Sequence, residues 1–311
     1  MHTSNPITLH GLIAATHTPL DNSGALNPAM VEKQAAHLLA QDVGTAFING
    51  TTGESHSLTL AERRQLAERW IAVTRGTPLR VVVHVGSNCL ADARALAAQA
   101  ESLGAAAIAA NAPCYFRPQN LDLLIACCGE IAAGAPHTPF YFYDIPMLTG
   151  VNLPMAEFLA RGSERIPTLR GLKFTNPDLM AYQLCLRAEG EFDVPWGMDE
   201  YLLGALAVGA KGAVGSSYNF AAPVYHRLIK AFQAGDLPTA QAEQFRSVRL
   251  VKLLAGYGYM GAAKVVMKML GVDVGPARLP LGNLSSDQVL RLRKELDQLG
   301  FFDWIVQKTA R

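Results

Sequence analysis

The sequence predicts an α/β fold, specifically a (β/α)8 TIM barrel with a C-terminal helical extension. Short apolar runs of strand length alternate with longer stretches of helical periodicity, and the alternation occurs eight times within about 230 residues. After Gly235 the pattern changes, and helical stretches follow one another without strands between them. The chain has 311 residues, of which 50% are hydrophobic, so it is long enough to bury the large core that such a fold needs.

The predicted strands are short apolar runs bounded by turn residues. A doubly wound open sheet is the alternative architecture, but it usually needs fewer strands for this length, and no glycine-rich phosphate turn follows the first run. The eight runs are Leu12–Thr16, Thr45–Asn49, Arg80–Val85, Ala106–Asn111, Phe140–Asp144, Leu169–Phe174, Phe192–Trp196 and Gly212–Gly215. Segments with helical periodicity lie between them, for example Pro28–Gln41, Leu60–Arg75, Ala91–Leu103, Leu121–Ala133, Pro154–Arg161 and Tyr201–Val208.

The C-terminal part of the chain is predicted to be a small helical bundle. Ser285 and Gln288 have the spacing of a capping box at the start of its last helix. The segment Gly256–Gly261 matches G-x-G-x-x-G, but a helical pattern precedes it, so we interpret it as a loop between two helices. We therefore divide the chain into a barrel with the catalytic site over residues 1–234 and a helical bundle over residues 235–311. The predicted helices of the bundle are Ala240–Leu254, Gly261–Leu270 and Ser285–Leu299.

Composition and charge exclude several classes of partner. The formal net charge is +1, and Lys and Arg are scattered without a basic run, so nucleic acid is not an expected partner. No apolar stretch reaches about 18 residues without charged or turn residues, so no membrane span is predicted. The N-terminus lacks a secretory signal pattern, and the five cysteines show neither a C-x-x-C pair nor zinc spacing. We therefore expect a cytoplasmic location, free thiols and no metal.

Lys173 is the most informative single residue. It lies in the predicted strand Leu169–Phe174, with Pro167 before the strand and Asn176-Pro177 after it. Burial disfavours the charged form of a lysine and favours a neutral amine, which can attack a carbonyl carbon. The alternative is a lysine at a strand end that extends its amine to water.

Polar side chains follow several other predicted strands, whose C-terminal ends meet at one rim of a barrel. In the turn Asn49–Ser55, glycines flank Thr51 and Thr52, so backbone amides and hydroxyls can bind a carboxylate, although an ordinary glycine-rich turn is the alternative. Tyr143 can carry a proton in a dry site, although a lone tyrosine there is more often a packed core residue. Other rim residues are Tyr115, Thr175, Gly197, Asp199, Glu200 and Ser216.

These residues resemble the N-acetylneuraminate lyase/dihydrodipicolinate synthase family of pyruvate-handling Schiff-base aldolases. The resemblance runs from about Gly11 to Leu270. It is carried by three spaced motifs: Gly50-Thr-Thr-Gly-Glu54, Tyr143-Asp-Ile-Pro146 with Thr149-Gly150, and Gly171-Leu-Lys173. The family implies a barrel with a helical C-terminal extension, usually assembled as a homotetramer.

The resemblance also implies a role for each motif residue. Lys173 would form the Schiff base, and Tyr143 would transfer protons. Thr51 and Thr52 would hold the carboxylate of the 2-oxo acid. Tyr115 resembles the family tyrosine that reaches the site of a neighbouring subunit and completes a Thr–Tyr–Tyr relay.

Two positions discriminate within the family. Its dihydrodipicolinate synthases typically carry an arginine two residues after the proline of the Tyr-x-x-Pro motif, whereas this chain has Leu148 there, like the lyases. The lyases also hold the hydroxyl tail of a sugar with segments that resemble Gly197-Met-Asp-Glu200 and Gly215-Ser-Ser-Tyr-Asn219. The resemblance therefore implies that Asp199, Glu200 and Ser216 bind the substrate tail. The alternative for Asp199 and Glu200 is that they only place negative charge at the N-terminus of the next helix, where the helix dipole favours it.

The resemblance implies a class I aldolase that acts on N-acetylneuraminate or a close relative. No metal or organic cofactor is expected, because the lysine is the electron sink. Thr51 stands where a lyase often has Ser, and Asp144 where the family often has Asn, so the identity of the sugar acid stays open. The alternatives are an aldolase or dehydratase for another 2-keto-3-deoxy sugar acid, a dihydrodipicolinate synthase-like enzyme, and a non-catalytic 2-oxo acid sensor on the same scaffold.

Overall fold

The computed structural model describes residues 8–306, and in these residues seven parallel strands form a nearly closed barrel. Neighbouring strands follow the order β6-β5-β4-β3-β2-β1-β7. The predicted barrel fold is therefore confirmed. The strands are β1 Gly11–Ala15, β2 Thr45–Ile48, β3 Arg80–His84, β4 Ala107–Asn111, β5 Phe140–Asp144, β6 Leu169–Phe174 and β7 Gly212–Gly215.

The predicted strand Phe192–Trp196 is wrong as a regular strand, although its position in the barrel is right. It lies between β6 and β7 and pairs through isolated bridges, in which Trp196 meets both Phe174 and Ala213. Pro195 interrupts the ladder because proline has no backbone N–H to donate. Residues 192–196 thus close the barrel through single contacts.

Helices surround the barrel and follow its strands. They are α1 Met30–Ala40, α2 Leu60–Thr74, α3 Leu90–Leu103, α4 Leu121–Ala132, α5 Pro146–Thr149, α6 Met155–Ser163, α7 Leu179–Leu186, α8 Leu202–Ala207 and α9 Tyr218–Gln233. Short 3-10 turns occupy Ser55–Ser57 and Asp199–Tyr201. The C-terminal helices are α10 Leu237–Gly256, α11 Tyr259–Met269, α12 Ser286–Leu299 and α13 Phe301–Trp304.

Local sequence signals explain several of these boundaries. Thr59 and Glu62 form a capping box that begins α2, and Ser285 and Gln288 form the predicted one at α12. The glycine-rich segment Gly256–Gly261 separates α10 from α11, so its interpretation as a loop between helices is confirmed.

The core has an outer and an inner layer, and strand alternation assigns each side chain to one of them. Along β5, Phe140 and Phe142 pack in the cluster between strands and helices. Tyr141 and Tyr143 pack in a separate cluster inside the barrel. Because successive residues of a strand face opposite sides, this alternation directs Tyr143 into the barrel.

The C-terminal helices share the outer hydrophobic cluster with the barrel. Leu250 and Leu254 of α10 and Leu292 of α12 belong to the same cluster as the barrel residues. The division at residue 234 therefore stays a prediction. In the described part of the chain no single helix is long and apolar enough to cross a bilayer; α10 and α11 meet that test only together, with a 112° bend between them.

Candidate active site

The C-terminal ends of β5 and β6 place Tyr143 beside Lys173. The two residues are register partners in adjacent strands. Lys173 is 4% exposed, and its Nζ lies 3.8 Å from the ring centroid of Tyr143 and 4.6 Å from that of Phe47. Among residues 8–306, this amine has no hydrogen-bond or ion-pair partner. A buried amine without a protein partner is available to a ligand.

The hydroxyl of Tyr143 joins the strand ends to the turn after β2. It lies 3.2 Å from Oγ1 of Thr51. Phe47 and His84 meet the tyrosine ring nearly edge-on, with interplanar angles of 77° and 88°. These contacts fix the ring while its hydroxyl faces the turn, so the structure brings Lys173, Tyr143 and Thr51 together.

The turn itself has an unusual backbone. Asn49 and Glu54, which flank it, both have positive φ angles, of 57° and 55°. A side chain at Gly50 would meet the ring of Phe47, since an added Cβ would lie 2.7 Å from a ring carbon. Thr51 is exposed at the rim, whereas Thr52 is buried at 8% exposure. The close packing explains why glycine occupies position 50.

His84 supports this turn, and Arg63 holds the backbone at the strand end that carries His84; the sequence patterns did not identify either residue. Nδ1 of His84 lies 2.9 Å from the carbonyl oxygen of Asn49, and Arg63 donates to the carbonyl oxygens of His84 and Gly86, each at 2.9 Å. Burial lowers the pKa of His84 well below its ordinary value, so the imidazole is neutral and Nδ1–H can donate to Asn49. The sequence signal was a histidine at the end of an apolar strand.

Asp199 is buried at the rim just after residues 192–196, the segment that lies beside β6. Its Oδ2 accepts hydrogen bonds from the backbone N of Ser217 at 2.8 Å and from the hydroxyl of Ser217 at 2.5 Å. Burial raises the pKa of Asp199 to about 6. Its Oδ1 lies against Gly215, where an added Cβ would be only 2.0 Å away. Ser217, which the sequence patterns did not identify either, thus fixes the orientation of the Asp199 carboxylate.

The remaining predicted tail residues lie nearby on the same rim. Gly197 packs directly on Thr175, so closely that a Cβ at position 197 would lie 1.9 Å from the threonine hydroxyl oxygen. That hydroxyl is buried and has no partner within residues 8–306. Ser216 Oγ lies 2.8 Å from the hydroxyl of Tyr259, a rim residue that the sequence analysis did not identify. Glu200 is half-buried beside Asp199.

Tyr115 is not part of this cluster within one chain. Its side chain is 80% exposed and packs edge-on against Phe116, which is 86% exposed, at a centroid distance of 5.0 Å. Two adjacent aromatic side chains with this exposure form an apolar patch at the surface.

Lys264 is a second buried lysine, and its environment differs from that of Lys173. Its Nζ lies 2.6 Å from Glu54 Oε1 and donates to the carbonyl oxygens of Thr18 and Pro276, at 3.1 and 2.8 Å. These three acceptors hold the amine as a protonated donor. Lys173 is therefore the better candidate for a nucleophile. Residues 8–306 contain no group of three or more His, Cys, Asp or Glu side chains that could hold a metal ion.

The fold and this rim define the class of protein, the barrel enzymes whose polar side chains gather at the C-terminal ends of parallel strands. The model of the dihydrodipicolinate synthetase family matches residues 8–299. The chain belongs to this family, and the resemblance seen in the sequence motifs is confirmed.

Curated relatives and solved structures that are named N-acetylneuraminate lyase are similar to this chain over most of its length. The chain is 41% identical to N-acetylneuraminate lyase A of Xenopus laevis over 276 residues, which cover 88% of this chain and 90% of the relative. The Proteus mirabilis N-acetylneuraminate lyase has a TM-score of 0.92 and 38% identity, with 95% of this chain and all of that one covered. The Aliivibrio salmonicida N-acetylneuraminate lyase has a TM-score of 0.92 and 42% identity, covering 95% and 98%.

Asp144, the last residue of β5, gives the free energy of unfolding a pH dependence. It is 2% exposed, and burial raises its pKa from 3.8 to about 7. The folded chain therefore keeps this proton up to about pH 7, whereas the unfolded chain releases it near pH 4. The contribution of this protonated carboxyl to the free energy of unfolding is complete below pH 4. It is lost as the pH rises to 7, at about 1.4 kcal/mol per pH unit within that window.

We expect Asp144→Asn to remove this loss, because the amide is neutral at every pH. The free energy of unfolding of the variant, minus that of the natural chain, should therefore be larger at pH 8 than at pH 4. Urea unfolding at both pH values measures the difference, with the exposed Asp303→Asn as the control. Parallel pH profiles of the variant and the natural chain would contradict the expectation.

Proposed function

We propose that this chain is a class I aldolase that cleaves N-acetylneuraminate to N-acetylmannosamine and pyruvate. The observation that carries the proposal is the buried, unpartnered amine of Lys173 over the ring of Tyr143, whose hydroxyl lies 3.2 Å from Thr51. The curated relatives named N-acetylneuraminate lyase, at about 40% identity over most of the chain, support the substrate assignment.

The reaction begins when the amine of Lys173 attacks the C2 ketone of the sugar acid and water leaves. The resulting iminium draws electrons from the C3–C4 bond, which breaks as the C4 hydroxyl loses its proton. Tyr143 relays that proton, with the substrate carboxylate and Thr51 within reach of its hydroxyl. N-acetylmannosamine then leaves, the enamine is protonated, and hydrolysis frees pyruvate and Lys173. The lysine is the electron sink, so the proposal includes no metal or organic cofactor.

The two ends of the substrate bind to different parts of the rim. Thr51 and Thr52 hold the carboxylate, since the turn presents hydroxyls and amides beside Lys173. Asp199, Glu200 and Ser216 hold the hydroxyl tail, and the contact residues Thr175 and Gly197 line the space between. Because Ser217 occupies one oxygen of Asp199, the half-buried Glu200 is the acceptor better placed to adapt to a ligand.

We further propose a homotetramer in which Tyr115 reaches the site of a neighbouring subunit. The exposed Tyr115–Phe116 pair supports this arrangement, because association would cover an apolar patch. A cytoplasmic location remains a prediction from the sequence. The five cysteines are free thiols, which is compatible with a reducing compartment.

Borohydride reduction in the presence of pyruvate should attach a stable adduct to the peptide that contains Lys173. The reduced Schiff base cannot hydrolyse, so peptide mass spectrometry identifies the modified lysine. Lys173→Ala should abolish both the adduct and sialic acid cleavage. An adduct on Lys264 or Lys211 would reject the assignment.

Replacement of Tyr143 by Phe should lower kcat by about 10²–10⁴, the range typical of general acid–base groups. The ring contacts with Phe47 and His84 are kept, so the urea unfolding midpoint should hardly change. Steady-state kinetics and unfolding of the same preparation separate the two effects. An unchanged kcat would exclude the proton relay.

Glu200→Gln should weaken N-acetylneuraminate cleavage while the pyruvate adduct on Lys173 still forms. A site that pairs with hydroxyls leaves buried polar groups unsatisfied when a shorter substrate binds, so it discriminates strongly. The natural chain should therefore cleave N-acetylneuraminate faster than 2-keto-3-deoxygluconate. Faster cleavage of the short acid, with no effect of Glu200→Gln on either substrate, would leave only the general aldolase assignment.

A further inference from the structure

A fully buried ion pair connects the C-terminal helices to the turn that carries Thr51 and Thr52. Lys264 on α11 and Glu54 in the turn are 2.6 Å apart, and their side chains are 1% and 0% exposed. Removing two charges from water is costly, and an apolar pair of similar volume is often as stable or more so. Stability alone therefore does not account for an ion pair at this position.

The pair belongs to a closed circuit of hydrogen bonds around the turn. Lys264 donates to the carbonyl oxygen of Thr18 at 3.1 Å, and the hydroxyl of Thr18 donates to the carbonyl oxygen of Gly53 at 2.6 Å. The second carboxylate oxygen of Glu54 accepts from the backbone N of Arg278 at 2.8 Å. The two residues that directly follow Thr51 and Thr52 are thus fixed from both sides by groups outside the turn.

The neighbouring charged groups are directed elsewhere. The guanidinium of Arg278 pairs with Glu62 at 2.5 Å and donates to the carbonyl oxygens of Gly24 and Ser57. His17 is fully buried near Lys264, and burial together with the charge of Lys264 lowers its pKa to about 3, so it is neutral. Glu54 is therefore the carboxylate that compensates Lys264 within the described residues.

The circuit also holds a strained backbone. Glu54 has a φ of 55°, in the left-handed region that a residue with a Cβ rarely adopts. Such a conformation persists when surrounding contacts determine it, and it is found most often at functional sites. The backbone N of Glu54 donates to the carbonyl oxygen of Thr51 at 3.0 Å, so the conformation at 54 and the position of Thr51 are linked.

We propose that Lys264 and Glu54 are positioning residues, through which the C-terminal helix α11 sets the geometry of the turn that binds the substrate carboxylate. Neither residue contacts the reacting atoms, and the effect on substrate rests on the proposed function. A turn released from this pair would still carry Thr51 and Thr52, but it would hold them in several arrangements, and the affinity for a 2-oxo acid would fall.

The double variant Glu54→Gln/Lys264→Met tests the proposal, because it removes both charges while it keeps the side-chain volumes close. Thr18→Val is a milder second variant that removes only the hydroxyl donor to Gly53. The matched control is Arg227→Met/Glu243→Gln, which removes a different ion pair, at 3.0 Å between α9 and α10.

Two measurements are made on each full-length variant. The first is the hydrogen-exchange rate of the backbone amides of Glu54 and Ser55, which donate to the carbonyl oxygens of Thr51 and Gly50 respectively. We expect roughly tenfold or faster exchange there in both test variants, the factor that corresponds to the loss of a buried hydrogen bond. The pyruvate concentration for half-maximal borohydride trapping on Lys173 should rise by a similar factor, while trapping at saturating pyruvate is unchanged. The control should alter neither quantity.

The proposal would be overturned if these amides exchanged at the rate of the natural chain in a folded double variant. If the double variant does not fold, the same result in Thr18→Val would overturn it. Faster exchange with an unchanged half-saturation concentration would also overturn it, because the turn would then not control carboxylate binding. If the natural chain traps no pyruvate at all, the proposed function fails, and the exchange measurement alone decides whether the pair positions the turn.

Discussion

Closure of the barrel is the constraint on which the rest of this structure depends. Seven strands pair in parallel, and residues 192–196 complete the ring through isolated contacts between β6 and β7. Gly171 permits this closure. Its φ is 155°, and an added Cβ would lie only 1.7 Å from the carbonyl oxygen of Asp193, so no side chain fits there. A closed ring brings all strand ends to one rim, where Tyr143 and Lys173 become neighbours by register.

The rim carries many buried polar groups, and their compensation determines its shape. Around the turn after β2, His84 and Arg63 bind backbone carbonyl groups, while Glu54 and Lys264 bind each other. Each of these groups would be costly if it were buried alone. The amine of Lys173 differs from them, because it lies over the rings of Phe47 and Tyr143 and has no hydrogen-bond or ion-pair partner in residues 8–306. The contrast between compensated and uncompensated groups marks the position of the proposed chemistry.

Sequence patterns predicted the regular parts of the fold and the residues that follow strand ends. Alternating periodicities located the strands β1 to β7, and Lys173, Tyr143 and Thr51 followed from their places in or after those strands. The irregular closure was missed because Phe192–Trp196 has the apolar composition of a strand, and the effect of Pro195 depends on its partners. Ser217, His84 and Tyr259 were missed because their roles arise from contacts between distant segments, which no local pattern encodes.

The contact between Ser216 and Tyr259 has a consequence for how substrate range could change during evolution. Tyr259 is the first residue of α11 and directly follows the glycine-containing loop between α10 and α11, outside the barrel strands, whereas Lys173 and Tyr143 lie within β6 and β5. Insertions and substitutions in such loops are tolerated better than changes within packed strands. The family can therefore diversify the far end of its pocket by varying a peripheral loop, while the reactive amine and its tyrosine are inherited unchanged.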